Sequence, residues 1–202
     1  MGAGAFRKIE EYIHLIKGDI VEIGSEQERT TPIDGSTRYF AEIAKENNFN
    51  FYSVDFEQKA YERAKFLIGD NAFQMLGEDF LDRYEKSRDK IAFAYLDNFD
   101  FEYPQLIGSR LIYEQKKTYS GYGLELSNEN SKMAHLIQTK KVVRHAAKTC
   151  IIVFDDTYIN KNGDYDGKGG TAVPYLIKSG WHIIDPHPVL PYVMCSNKEI
   201  DK

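Results

Sequence analysis

Two nearly unbroken apolar runs, Ile91-Ala92-Phe93-Ala94-Tyr95-Leu96 and Cys150-Ile151-Ile152-Val153-Phe154, each stop at an aspartate. Runs this short, and this rich in β-branched and aromatic residues, are strands covered on both faces. Strands of that kind belong to a parallel sheet, and parallel strands need helical crossovers between them. Further strands are expected at Ile20–Ile23, Phe51–Val54, Ala72–Leu76, Trp181–Ile184 and Tyr192–Cys195. Helical spacing marks Ala5–Ile16, the segment from Ser36, which sits where a cap belongs, to Asn47, then Glu57–Leu67, the segment opening at Glu78-Asp79 and Ala172–Lys178. Ser127 is placed to cap another helix, with Met133, Leu136, Ile137 and Val143 packed inward. The alternation predicts an α/β fold, a doubly wound, mostly parallel seven-stranded sheet with helices on both faces.

At 202 residues the chain is long enough for one domain with a substantial core. Its 28% charged content and net charge of −5 argue against a protein that lives on a phosphate backbone, so no nucleic-acid partner is expected. The one basic stripe, Lys141, Arg144, His145 and Lys148, reads as a solvated helix face. No apolar run approaches the ~18 residues of a membrane span, and no signal peptide is evident. Cys150 and Cys195 lie in apolar strands and suit inert core thiols. The expected location is the cytoplasm.

The stretch from Asp19 to Asp55 follows the plan of a nucleoside-binding βαβ unit: strand, Gly24, polar loop, helix, strand, acid. Glycine lets backbone approach a ligand, and an acid after the second strand can accept hydrogen bonds from two ribose hydroxyls. Gly24 is followed by Ser25, Glu26 and Gln27, with no glycine until Gly35. That loop lacks the Gly-x-Gly-x-x-Gly turn that cradles a pyrophosphate. With Glu22, Glu26 and Glu28 near it, the loop suits a ligand carrying a sulfonium and an amino group, so S-adenosylmethionine is favoured over NAD.

Strand ends carry Asp55, Asp97, the pair Asp155/Asp156, and Asp185. So many carboxylates at one rim repel each other unless something positive sits among them. Residues 98–127 mix Phe99, Phe101, Tyr103, Tyr113, Tyr119 and Tyr122 with glycines, which reads as an irregular lid or substrate wall, or as an oligomer contact. Lys168 and His187 are candidate general bases; the alternatives are that Lys168 only complements an acidic loop and that His187 only holds a turn. Gly167, Gly169 and Gly170 precede a helix and can bind an anion.

With these residues in view, the chain resembles the class I S-adenosylmethionine-dependent methyltransferases, and among them the small metal-dependent O-methyltransferases of the catechol, caffeoyl-CoA and macrolide-sugar type. Val21-Glu22-Ile23-Gly24-Ser25 is similar to the family's first motif, and Gly35-Ser36-Thr37 to its helix start. The resemblance implies that Asp55 binds the cofactor ribose, that Gly77-Glu78-Asp79 borders the adenine, and that Asp97, Asp155 and Asp156 hold a metal. Asp156 stands where the family often has Asn. An all-oxygen donor set selects Mg²⁺, with Mn²⁺ or Ca²⁺ as competitors. The implied reaction is metal-dependent methyl transfer from S-adenosylmethionine to a hydroxyl of a small polyhydroxylated substrate, a sugar or a catechol-like ring, by a chain that can be a homo-oligomer. The alternatives are an NAD-dependent oxidoreductase on a similar Rossmann-like sheet, or a non-catalytic interaction domain of the same fold.

Overall fold

A computed structural model describes residues 5–26, 35–84, 90–186 and 191–200. The strands are β1 (Asp19–Ile23), β2 (Phe51–Asp55), β3 (Ala72–Gln74), β4 (Ile91–Leu96), β5 (Ala146–Asp155), β6 (Thr157–Ile159), β7 (Tyr165–Gly167), β8 (His182–Pro186) and β9 (Tyr192–Ser196). The helices are α1 (Ile9–Tyr12), α2 (Ser36–Asn47), α3 (Gln58–Ile68), α4 (Gly77–Arg83), α5 (Arg110–Gly121), α6 (Asn128–His145) and α7 (Ala172–Lys178). Seven strands form one sheet in the order β3-β2-β1-β4-β5-β9-β8, and β6 and β7 form a separate hairpin. Pairing is parallel from β3 to β5, while β9 runs against both its neighbours. The expected doubly wound, mostly parallel sheet of seven strands is present.

Every residue of β1 and β4 is buried, because helices cover both faces of the sheet. Alternate residues divide between two cores. Ile20, Phe93, Tyr95, Ile151 and Val153 pack with Ile9 and Phe40 on one side. Val21, Ile23, Ala94, Leu96, Ile152 and Phe154 pack with Leu81, Val142 and Leu176 on the other. Among the described residues, no helix is long and apolar enough to cross a membrane.

Four details depart from the sequence reading. The expected helix at residues 5–16 is a broken one, α1 flanked by 3-10 turns at Phe6–Lys8 and Ile13–Leu15. Gly35, not Ser36, is the N-cap of α2, and Ser36 turns its hydroxyl inward to Glu22. Segment 98–127 is not irregular: Ser109 accepts a hydrogen bond from the N–H of Ile112 and starts the twelve-residue α5. The fourth departure is the face of α6, which is turned from the one its apolar residues suggest. Ser131, Ala134, His135, Gln138, Thr139 and Val142 face inward, while Met133 and Ile137 are exposed. The buried polar groups are tolerated because they bond locally: Ser131 Oγ donates to Phe99 O at 2.8 Å and Thr139 Oγ1 to His135 O at 2.7 Å. Rotating α6 this way also dissolves the basic stripe. His145 is buried, Lys148 belongs to β5, and Lys141 pairs with Asp82 at 2.6 Å.

Candidate active site

Strand order reverses direction between β1 and β4, and in open α/β sheets ligands bind beyond the carboxyl ends of the strands at that switch point. Gly24 ends β1 there with φ +98°, and a Cβ on it would stand 2.5 Å from Asn98 N and 2.6 Å from Asp97 C. Only glycine lets the β1 and β4 loops approach this closely. Beside them lies a cavity of about 230 Å³, walled by Gly24, Asp55, Glu57, Asp97, Asn98 and Asp100, and on its far side by residues of α5 including Glu114, Gln115 and Tyr119. Larger hollows, of about 380 and 450 Å³, lie at the chain termini and at the amino ends of the strands. Neither is at the switch point.

The βαβ acids are wired together. Glu22, fully buried, accepts hydrogen bonds from Ser36 Oγ (2.5 Å), Thr37 Oγ1 (2.7 Å) and Ser53 Oγ (2.6 Å). Burial pushes its carboxyl up to about 8, against the three hydroxyls. Ser25 Oγ meets Ser53 Oγ at 2.8 Å, and Ser25 N–H donates to Asp55 Oδ2 at 2.9 Å. Asp55 Oδ1 accepts the N–H of Glu57 at 2.8 Å, and burial raises the carboxyl to about 7. Of the donor-binding residues expected in this unit, Gly24 and Asp55 reach the cavity wall, while Glu22, Ser25, Ser36 and Thr37 form the network that holds Asp55 in place. Glu26, expected only as one of several acids near the loop, has a specific place. Its Oε2 accepts the N–H of Arg38 at 3.2 Å, so the chain's own carboxylate occupies the start of α2, where a pyrophosphate would sit.

The strand-end acids converge as the sequence suggests, but on a lysine. Leu96 and Phe154 are register partners, so Asp97 and Asp155 emerge side by side. Lys168 Nζ donates to Asp97 Oδ1 at 2.7 Å and to Asp97 O at 3.1 Å, and lies 3.2 Å from Asp156 Oδ2. Asp155 is engaged separately, accepting Tyr95 OH at 2.6 Å and the Asp156 N–H at 2.9 Å. Lys168 is 2% exposed and reaches this point from the β6–β7 hairpin. Gly167 makes that path possible: its φ is +84°, and a Cβ there would stand 2.0 Å from Asp156 O. The three glycines therefore serve close packing behind Lys168, and α7 behind them is a seven-residue helix.

Two expected roles change as a result. The carboxylates as they stand do not converge on a metal centre: Asp97 Oδ1 and Asp156 Oδ2 face the Lys168 ammonium, and both Asp155 oxygens accept hydrogen bonds, from Tyr95 and a backbone N–H. Among the described residues, no group of three His, Cys, Asp or Glu side chains is arranged to hold an ion. Lys168 is also unsuited to being a general base. Burial favours its neutral form, but Asp97, Asp156, Asp100 and Asp155 outweigh that and hold it well above the usual lysine range. Asp156 shows the converse: burial works to raise it, yet the Lys168 charge and hydrogen bonds keep it below its ordinary value. Asp156 adopts φ +49° and Phe99 φ +56°, left-handed backbone at the two strand ends that carry these acids.

Other expectations divide. Asp185 does not join the Lys168 group; it accepts Tyr192 OH at 3.0 Å and lies 3.8 Å from Lys8 Nζ. Gly77 opens α4 against Ile23, with Glu78 and Asp79 in its first turn, and none of the three walls the cavity. His187 and the loop residues 27–34 lie outside the described residues. The aromatics of 98–127 mostly pack α5 down. Tyr119 stacks edge-on with Phe56 and Phe99 at 5.1 and 4.9 Å, and Tyr122 OH accepts the Gln58 N–H at 2.9 Å. Sequence reasoning missed Asp100, whose carboxyl burial raises, and Asn98; the Asp-Asn-Phe-Asp run at a strand end was the available signal.

No protein-family model matches the chain, and no curated protein is significantly similar in sequence. Solved structures with a similar fold include a TehB-like SAM-dependent methyltransferase from Corynebacterium glutamicum (8% identity, 95% of this chain and 85% of that one, TM-score 0.45). Others are SAM-dependent methyltransferases from Aquifex aeolicus (10% identity, 96% and 89%, TM-score 0.44) and from Bacteroides fragilis, the latter with S-adenosyl-L-homocysteine (11% identity, 93% and 74%, TM-score 0.43). At these identities and scores the likeness carries no argument about activity, which rests on the site itself.

Proposed function

We propose that the chain binds S-adenosylmethionine at the β1–β4 switch point and transfers its methyl group to a hydroxyl of a small polyhydroxylated molecule, with Lys168 in place of a divalent cation. One observation carries this reading. The cavity beside Gly24 is walled by five carboxylates, Asp55, Glu57, Asp97, Asp100 and Glu114, and by no lysine or arginine among the described residues. Such a wall rejects phosphates and welcomes a cation rich in N–H and O–H donors. The Glu26 carboxylate at the start of α2 counts against the NAD alternative for the same reason.

Bound there, S-adenosylmethionine supplies an electrophilic methyl group on a sulfonium. Asp55, held by two backbone N–H groups, would accept the ribose hydroxyls. Asp97 has Oδ1 tied to Lys168, leaving Oδ2 for a ligand proton. Asp100, a half-buried carboxyl on the same wall, borders the space left for the acceptor. Tyr119 OH fixes the Asp100 backbone by accepting its N–H at 2.7 Å. The packed α5 keeps water from this side.

Thermal shift measurements test the reading: S-adenosylhomocysteine should raise the melting temperature and NADH should not. Stabilisation by NADH alone would overturn it. Donor affinity should also follow the ionisation of Asp55. Because the ribose needs the ionised carboxylate, affinity is expected to be flat above pH 7 and to weaken by about tenfold per unit below it. Titration calorimetry between pH 5.5 and 8.5 checks the slope.

A further inference from the structure

The α5 wall of the cavity carries more negative and acceptor groups than the donor substrate accounts for. Asp55 at the end of β2 is assigned above to the ribose, and Asp97, just after β4, to a proton of the donor. Asp100, Glu114, Asn98 and Gln115 remain. Asn98 is 7% exposed and its Oδ1 has no hydrogen-bond partner; Gln115 Oε1 is likewise buried and unpartnered. A buried acceptor without a partner is destabilising, and a bound donor group removes that cost. The cationic side chains nearby are turned elsewhere. Lys116 on α5 pairs with Glu102 at 2.6 Å, Lys168 is spent on Asp97 and Asp156, and Glu114 has only an exposed contact of 3.9 Å with Arg110.

We infer that the methyl acceptor carries a protonated amine, anchored between Asp100 and Glu114 with its N–H groups on Asn98 Oδ1 and Gln115 Oε1. The acceptor class is then a small aminated polyol or amino-phenol, in which the ammonium is a handle and a separate hydroxyl is methylated. This rests on the methyl-transfer reading, since it divides the cavity between a donor and an acceptor. An ammonium is the right handle because it offers three N–H donors and a full charge to a wall whose charged groups are all carboxylates among the described residues. A neutral diol could pair with the amide oxygens but would leave Asp100 and Glu114 uncompensated.

The test uses the full chain saturated with S-adenosylhomocysteine and two matched probe pairs, glucosamine against glucose and dopamine against catechol, by calorimetric titration. The amine member of at least one pair should bind tenfold or more tighter than its neutral partner. Asp100→Asn and Glu114→Gln should each shrink that preference several-fold; the Glu114 side chain is exposed, so its variant is expected to fold. Equal response within both pairs, including no response from any probe, overturns the inference. So does a preference untouched by both substitutions. If S-adenosylhomocysteine itself fails to bind, the methyl-transfer reading falls and takes this inference with it; binding of S-adenosylhomocysteine without amine preference sinks the inference alone.

Discussion

Replacing Lys168 with methionine is expected to destabilise the protein by about 3 kcal/mol and to abolish donor binding. The substitution keeps most of the side-chain volume and removes only the charge, leaving Asp97 and Asp156 facing each other without a counter-ion. Removing one partner of a buried ion pair costs ~3–5 kcal/mol. The lower end applies because the Asp97 and Asp156 side chains are 29% and 35% exposed, so solvent screens part of their repulsion. For a chain of this size the melting temperature should fall by roughly 6–12 °C. Urea denaturation compared with the wild type measures the loss. A change below about 1 kcal/mol would mean that the ammonium does not organise the strand ends. Lys168→Arg should recover little, since the planar guanidinium does not fit a pocket built round one nitrogen.

Asp55→Asn is expected to weaken S-adenosylhomocysteine binding by about a hundredfold, equivalent to ~2.7 kcal/mol. A carboxylate can accept both ribose hydroxyls, and hydrogen bonds to charged groups contribute ~1.5–3 kcal/mol. The amide keeps the shape but offers one acceptor where the carboxylate offers two. It also cannot accept the N–H groups of both Ser25 and Glu57, so the loop after Gly24 should loosen. Calorimetry gives the affinity directly. An unchanged dissociation constant would place the ribose elsewhere and remove the main support for the nucleoside reading.

Much of this site was legible in the chain because it sits at strand ends. Hydrophobic runs stop where strands stop, so Asp55, Asp97, Asp155 and Asp156 could be placed on one rim without coordinates. The need for a positive charge among them followed from electrostatics. What could not be read was its source. Lys168 lies 71 residues beyond Asp97 and arrives through a hairpin whose route depends on the left-handed Gly167 and its contact with Asp156 O. The family resemblance supplied a metal ion for that charge, whereas a fully buried lysine is rare and no local pattern announces one. The face of α6 was misjudged for a related reason. Apolar periodicity assumes that polar groups want water, whereas Ser131, His135 and Thr139 find partners on their own helix or on the Phe99 loop. Aromatic density in 98–127 was read as a lid or substrate wall, or as an oligomer contact; Phe99 and Tyr119 do line the cavity, while they and Tyr122 also hold α5 against the β2 and β4 loops, which periodicity alone could not show.

The most direct measurement is calorimetric titration of S-adenosylhomocysteine into the purified chain, once in excess chelator and once in millimolar Mg²⁺. With Lys168 serving as the fixed counter-ion, the two isotherms should coincide and give one site per chain. Binding that needs Mg²⁺, or no heat under either condition, would contradict the account.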